Sequence, residues 1–587
     1  MRISRVAIRN YRNLCGASLT LNNEINFLVG ENDLGKSNFL DMLETLFGRR
    51  RRFSKDDFAH VGLTIEVEIS LLLSDAEKGA FEDLFDPHDS HRINLVAKQD
   101  SPEEDISYFH KESGEEIHYT KLRCVNLVKY DSLRTPREEL SFHRGRGVGR
   151  FLAFLVEKFI AENPDGDGPD FVNADMASRV VEYVNERLGR IGLVQELGIA
   201  ACVQDDLADL VYRVLAVKDA SGFDVDRTGY GTQFSMLVVL SILDNLMQLM
   251  EGRGREECIF TRDGDRTISF IVALDEPEIH LHPFMQRRLV RCVRDMLQNR
   301  DPSFKELIKD LFDIDTLYGQ AILATHSPSV LLDDYRSIAR FHREEAGIRI
   351  ASGQELDLDA TAHKNLLRTL PYVKEAFFSR CVIVVEGDTE VGALPLWAEK
   401  TVGDLNRFGI SVVPAGGGTG IPNLCDMLQR FRIPSVGVVD RDIYQGLSDS
   451  FDDMPHLAVT AKRDFEEELV DTLVSSGKEA VLFEILVESA PNGLDTRVQK
   501  TRLIGIADKY GIGRAWEERD YRFEEIQGST EGDLIKAMFL AWLDSAKGAI
   551  LGRTIGEKVQ AEDVPRVYRD AIREAKELTT SHRRADQ

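Results

Sequence analysis

The amino-acid sequence predicts an α/β protein with two parallel-sheet domains, the first of them interrupted by a helical segment. Three observations predict this class. A strand, a glycine loop and a helix follow one another near residue 30, helical patterns run from about 149 to 217, and short β-branched runs alternate with helix-sized spacers after residue 380. The 587 residues, 43% hydrophobic and 29% charged, suffice for several cores of ordinary globular composition.

Composition also limits the function classes. No run of about 18 apolar residues occurs and the first residues form a strand pattern, so we expect no membrane span, no signal peptide and a cytoplasmic location. Seven cysteines without a Cys-x-x-Cys pair indicate neither zinc nor a disulfide framework. A net charge of −26 argues against a general nucleic-acid coat. The basic segments 49–55 and 134–150 are either local DNA contacts or solvated surface.

The first domain opens with an alternating strand over residues 2–10, and a second strand at 26–29 runs into Gly-Glu-Asn-Asp-Leu-Gly-Lys-Ser. This loop matches G-x-x-x-x-G-K-S, whose backbone amides enclose phosphates, and the helix over 38–47 directs its positive end at them. Lys36 would reach the terminal phosphates and Ser37 would bind Mg²⁺. The sequence therefore predicts bound ATP with Mg²⁺. The candidate nucleotide-binding residues of the loop are Gly30, Asn32, Gly35, Lys36, Ser37 and Asn38.

A strand over 64–73 is expected to extend a β-subdomain above the nucleotide, and helices are expected at 150–160, 177–188 and 200–217. The helical insert is either an arm for dimerisation or a plain pair of core helices. Gly229 and Gly231 precede an apolar helix at 236–250. They resemble a degenerate signature motif of ATP-binding cassettes, although a simple helix cap would explain them equally well.

A second acidic motif follows an apolar strand that begins at Ile268. Asp275 would hold Mg²⁺ through water and Glu276 would polarise the attacking water, as in a Walker B motif. A further strand ends at His326, which matches the H-loop that senses the γ-phosphate. We find no convincing glutamine for a Q-loop.

Three short β-branched runs that end in an acid or glycine follow the connector, in the segments 381–390, 410–418 and 434–442. Each predicts a strand, and the gaps at 390–400 and 421–432 suit helices. This order is typical of a parallel sheet with crossover helices, in which ligands collect at the carboxyl ends of the strands. The glycine turn at 416–418 would lie at that edge.

Acidic residues follow the first and third of these strands. Glu386, Asp440 and Asp442 would meet at the sheet edge, with Asp440 and Asp442 on the same side of a strand, about 7 Å apart. Two carboxylates held about 4 Å apart repel by about 4 kcal/mol at an effective dielectric of 20. We therefore expect Mg²⁺ or Mn²⁺ to neutralise them. Two such ions can clamp a phosphodiester. Each piece alone could be simple turn chemistry, but three in order favour the metal site.

Glu386-Gly-Asp-Thr-Glu390, the glycine turn and Asp440-x-Asp442 resemble the Toprim domain of topoisomerases, primases and certain nucleases. With the ATPase motifs, nearly the whole chain is similar to the OLD (overcoming lysogenization defect) family, which includes the nuclease subunit of the Gabija anti-phage system. The resemblance implies an ABC-type P-loop ATPase domain with a helical dimerisation insert, followed by a Toprim nuclease domain with a Rossmann-like parallel sheet.

The same resemblance implies site residues and partners. Residues 460–469 resemble an extra acidic motif, and a lysine near the end would steady charge on the phosphate, with Lys547 the better match and Lys536 its competitor. Cassette ATPases work as dimers, which implies a homodimer or larger homo-oligomer. The resemblance to the nuclease family implies a DNA substrate and, in a defence system, a helicase-like partner protein. The predicted metal ligands of the second domain are Glu386, Glu390, Asp440, Asp442, Asp464 and Glu466.

These patterns divide the chain. The predicted segments are the ATPase at 1–148 and 221–345, the helical insert at 149–220, a connector at 346–378 ending in a helix at 364–378, and the Toprim domain with its helical extension at 379–587. Residues 579–587 are expected to be a loose tail.

Two functions of different classes fit. The first is a metal-dependent DNA endonuclease gated by an ATPase dimer, plausible in defence against phage. The second is an ATP-driven DNA-binding or clamp protein, of the recombination or chromosome-maintenance type, with a non-cleaving Toprim module. A topoisomerase is less favoured, because the sequence shows no evident tyrosine-bearing cleavage domain. A transport ATPase is less favoured, because it has no use for the acidic site.

Overall fold

The structure is a computed structural model of the chain. It describes every residue except 49–51, 83, 131–147, 163–173, 204–214, 219–221, 223–228, 252–257, 280, 333, 357–363, 365–369, 371–372, 453, 490–496 and 585–587. The chain forms two compact units, Met1–Glu355 and Leu356–Gln587. Most of the basic segments 49–55 and 134–150 lies outside the described residues.

The first unit contains two large sheets and a smaller helical part. Its strands are β1 Arg2–Arg9, β2 Ser18–Thr20, β3 Ile25–Val29, β4 Ile65–Leu72, β5 Arg92–Gln99, β6 Ser107–His110, β7 Glu116–Ile117, β8 Leu127–Tyr130, β9 Ala200–Val203, β10 Leu215–Lys218, β11 Ile259–Arg262, β12 Asp265–Asp275, β13 Thr316–Ala324, β14 Ile338–Glu344 and β15 Gly347–Ser352. Its helices are α1 Lys36–Phe47, α2 Val148–Glu162, α3 Ala174–Gly189, α4 Gly192–Glu196, α5 Tyr230–Glu251, α6 Pro283–Leu297 and α7 Pro302–Phe312.

The two large sheets differ in direction and burial. The antiparallel sheet has the order β2-β1-β4-β5-β6-β7, and β4 buries every second side chain, as the alternating sequence predicted. The other sheet has the order β11-β12-β13-β3-β14-β15, with β8 paired to β12, and its central pairs are parallel. All five residues of β3 are buried, as expected for a central parallel strand. The carboxyl ends of β3, β12 and β13 therefore share one edge.

One prediction for the helical part is wrong. The described ends of the segment 200–217 are not helical, because β9 and β10 pair antiparallel, with Ala201 opposite Val217. The valines at these ends favour an extended backbone, and the cross-strand pairing overrides the helix propensity of the alanines. The predicted helices at 150–160 and 177–188 are present within α2 and α3.

Helix α5 is long and apolar enough to span a membrane by length and composition, over Gly231–Met250. However, 83% of its apolar window is buried inside the protein, which is also what the core helix of a soluble protein shows. Among the described helices, no other meets this test.

The second unit is built on a four-stranded sheet. Its strands are β16 Cys381–Val385, β17 Ile410–Pro414, β18 Ser435–Val439, β19 Leu457–Val459, β20 Arg497–Val498 and β21 Tyr521–Arg522. Its helices are α8 Asp388–Thr401, α9 Ile421–Arg430, α10 Arg441–Gly446, α11 Phe465–Ser475, α12 Glu479–Ser489, α13 Lys500–Tyr510, α14 Phe523–Ile526, α15 Gly532–Ala546, α16 Ala549–Lys558 and α17 Arg566–Arg584.

The sheet has the order β17-β16-β18-β19 and every pair in it is parallel. The central strand β16 is entirely buried, and one apolar cluster joins it to α8, α11, α15 and α17. This confirms the predicted parallel sheet with crossover helices.

One prediction about the end of this unit is wrong. The segment 579–587 is not a loose tail up to Arg584, because α17 continues through it, and Tyr568, Ile572 and Ala575 anchor the helix in the core at helical spacing. The connector begins with strand β15, which pairs antiparallel with β14. Within the predicted helix 364–378, the described residues Lys364, Leu370 and Val373 are helical, and the segment ends in a 3₁₀ turn, Lys374–Phe378.

Candidate functional site

The glycine loop between β3 and α1 has the backbone of a phosphate-binding loop. Gly30 and Gly35 have φ values of 133° and 92°, in the region that favours glycine. A Cβ on Gly35 would lie 2.6 Å from Asn13 Oδ1. Lys36 donates from Nζ to the loop carbonyls of Gly30 and Glu31, at 3.0 and 2.7 Å. The loop is thus held closed by its own lysine.

The predicted Mg²⁺ ligands of the first unit are in contact. Ser37 Oγ donates to Asp275 Oδ1 at 3.0 Å, although 238 positions separate them. Burial lowers the pKa of Lys36 to about 8, while Glu276 and Asp275 oppose this change. Asn38 instead faces the protein, because its amide nitrogen donates to Asn13 Oδ1 at 2.9 Å.

The remaining predicted nucleotide-site residues are Asn32, Gly229 and Gly231. Asn32 is exposed in the loop. Gly229 is exposed just before α5, and Gly231 lies in the first turn of that helix, so α5 starts earlier than predicted.

Glu276 and His326 end neighbouring strands and face each other. Glu276 Oε1 lies 3.6 Å from His326 Nε2, and the backbone N–H of Glu276 donates to Ala324 O at 2.8 Å. The φ of Glu276 is 48°, an uncommon value for a non-glycine residue that often marks a functional position. Burial and the Lys36 charge lower the pKa of His326, which keeps its imidazole neutral at pH 7.

Sequence reasoning missed Glu278 in this site. Its Oε1 accepts the backbone N–H of His326 at 2.5 Å, and its Oε2 is buried without a hydrogen-bond partner. Burial raises the pKa of this carboxyl. A second glutamate two positions after the predicted catalytic one was the available signal.

In the second unit, the parallel strands bring acids to one edge of the sheet. Glu386 directly follows β16 and Asp440 directly follows β18, and these strands are neighbours. The glycine turn follows β17 on the other side, where Gly417 donates its N–H to Glu386 O at 3.0 Å. A Cβ on Gly418 would lie 3.0 Å from Glu386 Oε2, so this turn allows the carboxylate to approach the backbone.

The predicted geometry of Asp442 is wrong. Strand β18 ends at Val439, and Asp440 is the N-cap of α10, which places Asp442 in the first helical turn. There its Oδ2 lies 3.2 Å from a guanidinium nitrogen of Arg463. Because the chain turns into a helix after β18, the two aspartates do not share one face of a strand.

Four carboxyls share an environment that disfavours charge. Burial, followed by the neighbouring acids Glu386 and Glu390, raises the pKa of Asp440 to about 9. Burial also raises the pKa of Glu390 to about 8, with contributions from Glu466 and Glu386. Burial similarly raises the pKa of Glu386 and of Glu466. These are the groups that a cation would keep ionised.

Asp464 and Glu466 at the start of α11 have different partners. Asp464 accepts the N–H of Glu467 at 3.0 Å and the hydroxyl of Tyr510 at 2.7 Å, so both carboxylate oxygens have protein partners. Glu466 is 3% exposed, and its Oε1 lies 3.1 Å from Lys547 Nζ. Sequence reasoning did not identify Tyr510, which is distant in sequence and carries no motif.

The structure separates the two candidate lysines. Lys547 lies beside Glu466; burial would lower its pKa, but Glu466 and Asp464 raise it. Lys536 instead donates to Asp471 Oδ1 at 2.5 Å, on the neighbouring helix α11. The lysine that approaches the acidic site is therefore Lys547.

The acidic residues fit a hard divalent cation. Glu386 Oε2 and Glu466 Oε2 are buried without a hydrogen-bond partner, and such oxygens suit a metal or its waters. Within the described residues, no three His, Cys, Asp or Glu side chains already form a cage for one ion. The two observations are compatible, because Mg²⁺ is usually held by one or two carboxylates and keeps several waters.

Comparison with known families agrees with this arrangement. Residues 377–442 match the family model "Overcoming lysogenization defect protein-like, TOPRIM domain", and residues 1–132 match "AAA ATPase domain". The chain therefore resembles OLD-like proteins that combine an ATPase with a Toprim domain. The predicted resemblance is thereby confirmed.

Named relatives are similar to this chain at low identity. The OLD-like chain is 23% identical over 431 residues to "Endonuclease GajA" of Bacillus cereus strain VD045, covering 66% of each chain. It is 23% identical over 484 residues to "OLD nuclease" of Thermus scotoductus, covering 75% of this chain and 82% of the relative. The C-terminal region of the Xanthomonas campestris pv. campestris OLD protein aligns with 36% of this chain and 100% of its own, at 18% identity and a TM-score of 0.25.

Proposed function

We propose that this OLD-like protein is a divalent-metal-dependent DNA endonuclease whose cleavage is gated by an ABC-type ATPase dimer. The observation that carries the proposal is the cluster of Glu386, Glu390, Asp440 and Glu466, whose burial and mutual repulsion disfavour charge, with Lys547 beside it. Burying these carboxyls close together lowers the stability of the fold, and a bound cation would offset that loss. The names of two relatives, an endonuclease and a nuclease, support the same activity.

We assign a role to each residue of this cluster. Glu386 and Asp440 would hold one Mg²⁺ or Mn²⁺ ion, and Glu390 and Glu466 would contribute to a second. Bound ions of this kind activate water and stabilise the leaving oxygen of a phosphodiester. Lys547 would neutralise charge that develops on the phosphate, acting as a preorganised cation.

Two of the predicted ligands receive smaller roles. Asp464 would support the site from its N-cap position, because both of its oxygens are already hydrogen-bonded. Asp442, paired with Arg463, would lie at the rim of the site.

The first unit would supply the gate. Lys36 would bind the terminal phosphates, Ser37 and Asp275 would hold Mg²⁺, Glu276 would polarise water, and His326 would sense the γ-phosphate. Gly229 and Gly231 would complete the site of a partner subunit, which implies a homodimer. We further propose a cytoplasmic location, a role in anti-phage defence and a helicase-like partner.

The test is cleavage of supercoiled plasmid with Mg²⁺ or Mn²⁺, with and without ATP. Glu386→Ala and Asp440→Ala should each abolish nicking while the oligomeric state is unchanged. Asp426→Ala, an exposed acid on α9 paired with Arg430, is the matched control and should cut normally. Undiminished cutting by the site variants would refute the assignment.

The same assay separates the alternative. A wild-type protein that binds DNA but cuts none of its forms with any divalent metal would indicate the clamp function. A short similarity to "DNA replication and repair protein RecF" of Erwinia tasmaniensis, 33% identical over 110 residues and 17% of this chain, is the observation that keeps this alternative under test.

A further inference from the structure

The residue pair Lys547–Gly548 forms a corner between α15 and α16, which we name the lysine corner. Lys547 is the C-cap residue of α15 and Gly548 is the N-cap residue of α16. The φ of Gly548 is 146°, which L side chains rarely adopt. The direction of Lys547 toward Glu466 therefore depends on how this corner is held.

One buried side chain reaches the corner from the opposite helix. Thr389, in the first turn of α8 and 5% exposed, accepts the N–H of Gly548 on its hydroxyl at 3.1 Å. It stands directly before Glu390, one of the clustered acids. The hydroxyl thus links the acidic edge of the sheet to the residue that follows the lysine.

The two helices are too close for the corner to find another position easily. A Cβ on Gly552 of α16 would collide with the carbonyl oxygen of Thr389, and a Cβ on Gly392 of α8 would lie 2.7 Å from Arg553 N. Glycines on both helices allow this backbone contact. This backbone contact sets the distance between α8 and α16. The Thr389 hydroxyl fixes the backbone of the lysine corner by accepting the N–H of Gly548.

We infer that Thr389 is a positioning residue for Lys547: its hydroxyl fixes the lysine corner so that the ammonium group lies over the acidic site. The inference rests on the proposed nuclease function and names a residue through which that site is kept in order. Preorganised cations lose their effect when displaced, and a shift of about 1 Å can cost about 100-fold in rate.

Two substitutions of Thr389 distinguish the effect of its hydroxyl group from the effect of its packing. Thr389→Val keeps the shape and removes the hydroxyl, and Thr389→Ser keeps the hydroxyl and removes the methyl group. The matched control is Thr401→Val on the same helix, about 18 Å away by helix rise, where the lost hydroxyl bonds only to α8 backbone carbonyls, including Trp397 O at 2.7 Å. Thr389→Ala replaces the valine variant should that one not fold.

We expect Thr389→Val to lower kcat for plasmid nicking by about 10- to 100-fold, with KM for DNA within about threefold of wild type. Thr389→Ser and Thr401→Val should keep kcat within about threefold. All variants should melt within about 4 °C of wild type, since one hydrogen bond is lost in a unit of this size.

Each contrary result is distinct. Normal kcat in Thr389→Val, or an equal loss in Thr389→Ser, would overturn the positioning role and leave the nuclease proposal intact. An equal loss of kcat in Thr401→Val would show a general effect of α8 and would also overturn it. A wild-type protein that cuts no DNA would overturn the proposed function, and this inference with it.

Discussion

Replacing Asp440 with asparagine should stabilise the metal-free protein while abolishing its proposed activity. Asp440 is buried among acids, and its pKa is raised to about 9 from an ordinary 3.8. A raised carboxyl pKa means that the folded state binds more protons than the unfolded state between those two values. The contribution of this carboxyl to stability is therefore greatest at low pH and is lost as the pH rises from about 4 to about 9.

The magnitude follows from the linkage. At pH 8, the pH lies about 4 units above the pKa of the unfolded carboxyl, while the folded carboxyl remains protonated. Each unit contributes 1.36 kcal/mol, so the carboxyl lowers the free energy of unfolding by up to about 6 kcal/mol. Asparagine removes this cost but must desolvate an amide, at about 1–3 kcal/mol. We expect a net gain of up to about 3–5 kcal/mol, which raises the melting temperature of the unit by roughly 6–20 °C.

Scanning calorimetry in EDTA is the assay, at pH 8 and at pH 5.5. The gain from Asp440→Asn should be large at pH 8 and should fall to within about 1 kcal/mol of zero at pH 5.5. At that pH, the cost of the carboxyl is only about 2 kcal/mol, because the pH lies less than 2 units above the unfolded pKa, and the desolvation of the amide offsets it. Added Mg²⁺ or Mn²⁺ should stabilise wild type and leave the variant unchanged. A variant that is unchanged or less stable at pH 8, relative to an Asp426→Asn control, would refute the crowding of acids at this edge.

Three further predictions concern single side chains. Lys547→Ala should lower nicking by about 100- to 1,000-fold, as loss of a preorganised donor does, whereas Lys536→Ala should change the rate less than threefold; equal losses would contradict the separation of the two lysines. Glu276→Gln should bind ATP normally but hydrolyse it at least 100-fold more slowly in a phosphate-release assay, and unimpaired turnover would exclude its role. Glu278→Ala should lower ATP turnover about tenfold because the His326 N–H loses its acceptor, whereas Glu278→Gln should retain turnover, since an amide oxygen can replace the carboxylate; similar losses in both would show that the charge matters instead.

The order of elements could be predicted because it depends on local patterns. Alternation of apolar residues over β4, the mostly apolar run in β3 and the unbroken apolar run in β16 specify strands. Glycine-rich loops or acidic residues mark where these strands end. In a parallel sheet these ends necessarily share one edge. The meeting of Ser37 with Asp275, 238 positions apart, follows from that rule.

Local patterns failed where distant contacts decide the backbone. The segment 200–217 was predicted to be a helix, but its described ends pair as strands. Asp442 was predicted to continue a strand, but the chain turns at Asp440, where the N–H of Arg441 finds the hydroxyl of Thr460 at 2.9 Å. A hydrophobic pattern that repeats every two to four residues gives no information about a hydrogen-bond partner 19 positions away in the sequence.

The sequence by itself determined the class of the protein: a phosphate loop on one parallel sheet and a row of acids at the edge of another, because both follow from residue types at short spacing. Only the tertiary structure decided which side chains act together. It directs Lys547 rather than Lys536 to Glu466, leaves Glu386 with an unpaired oxygen and engages both oxygens of Asp464. The reason is physical: burial and neighbouring charge depend on residues that the fold brings together, which spacing along the chain does not encode.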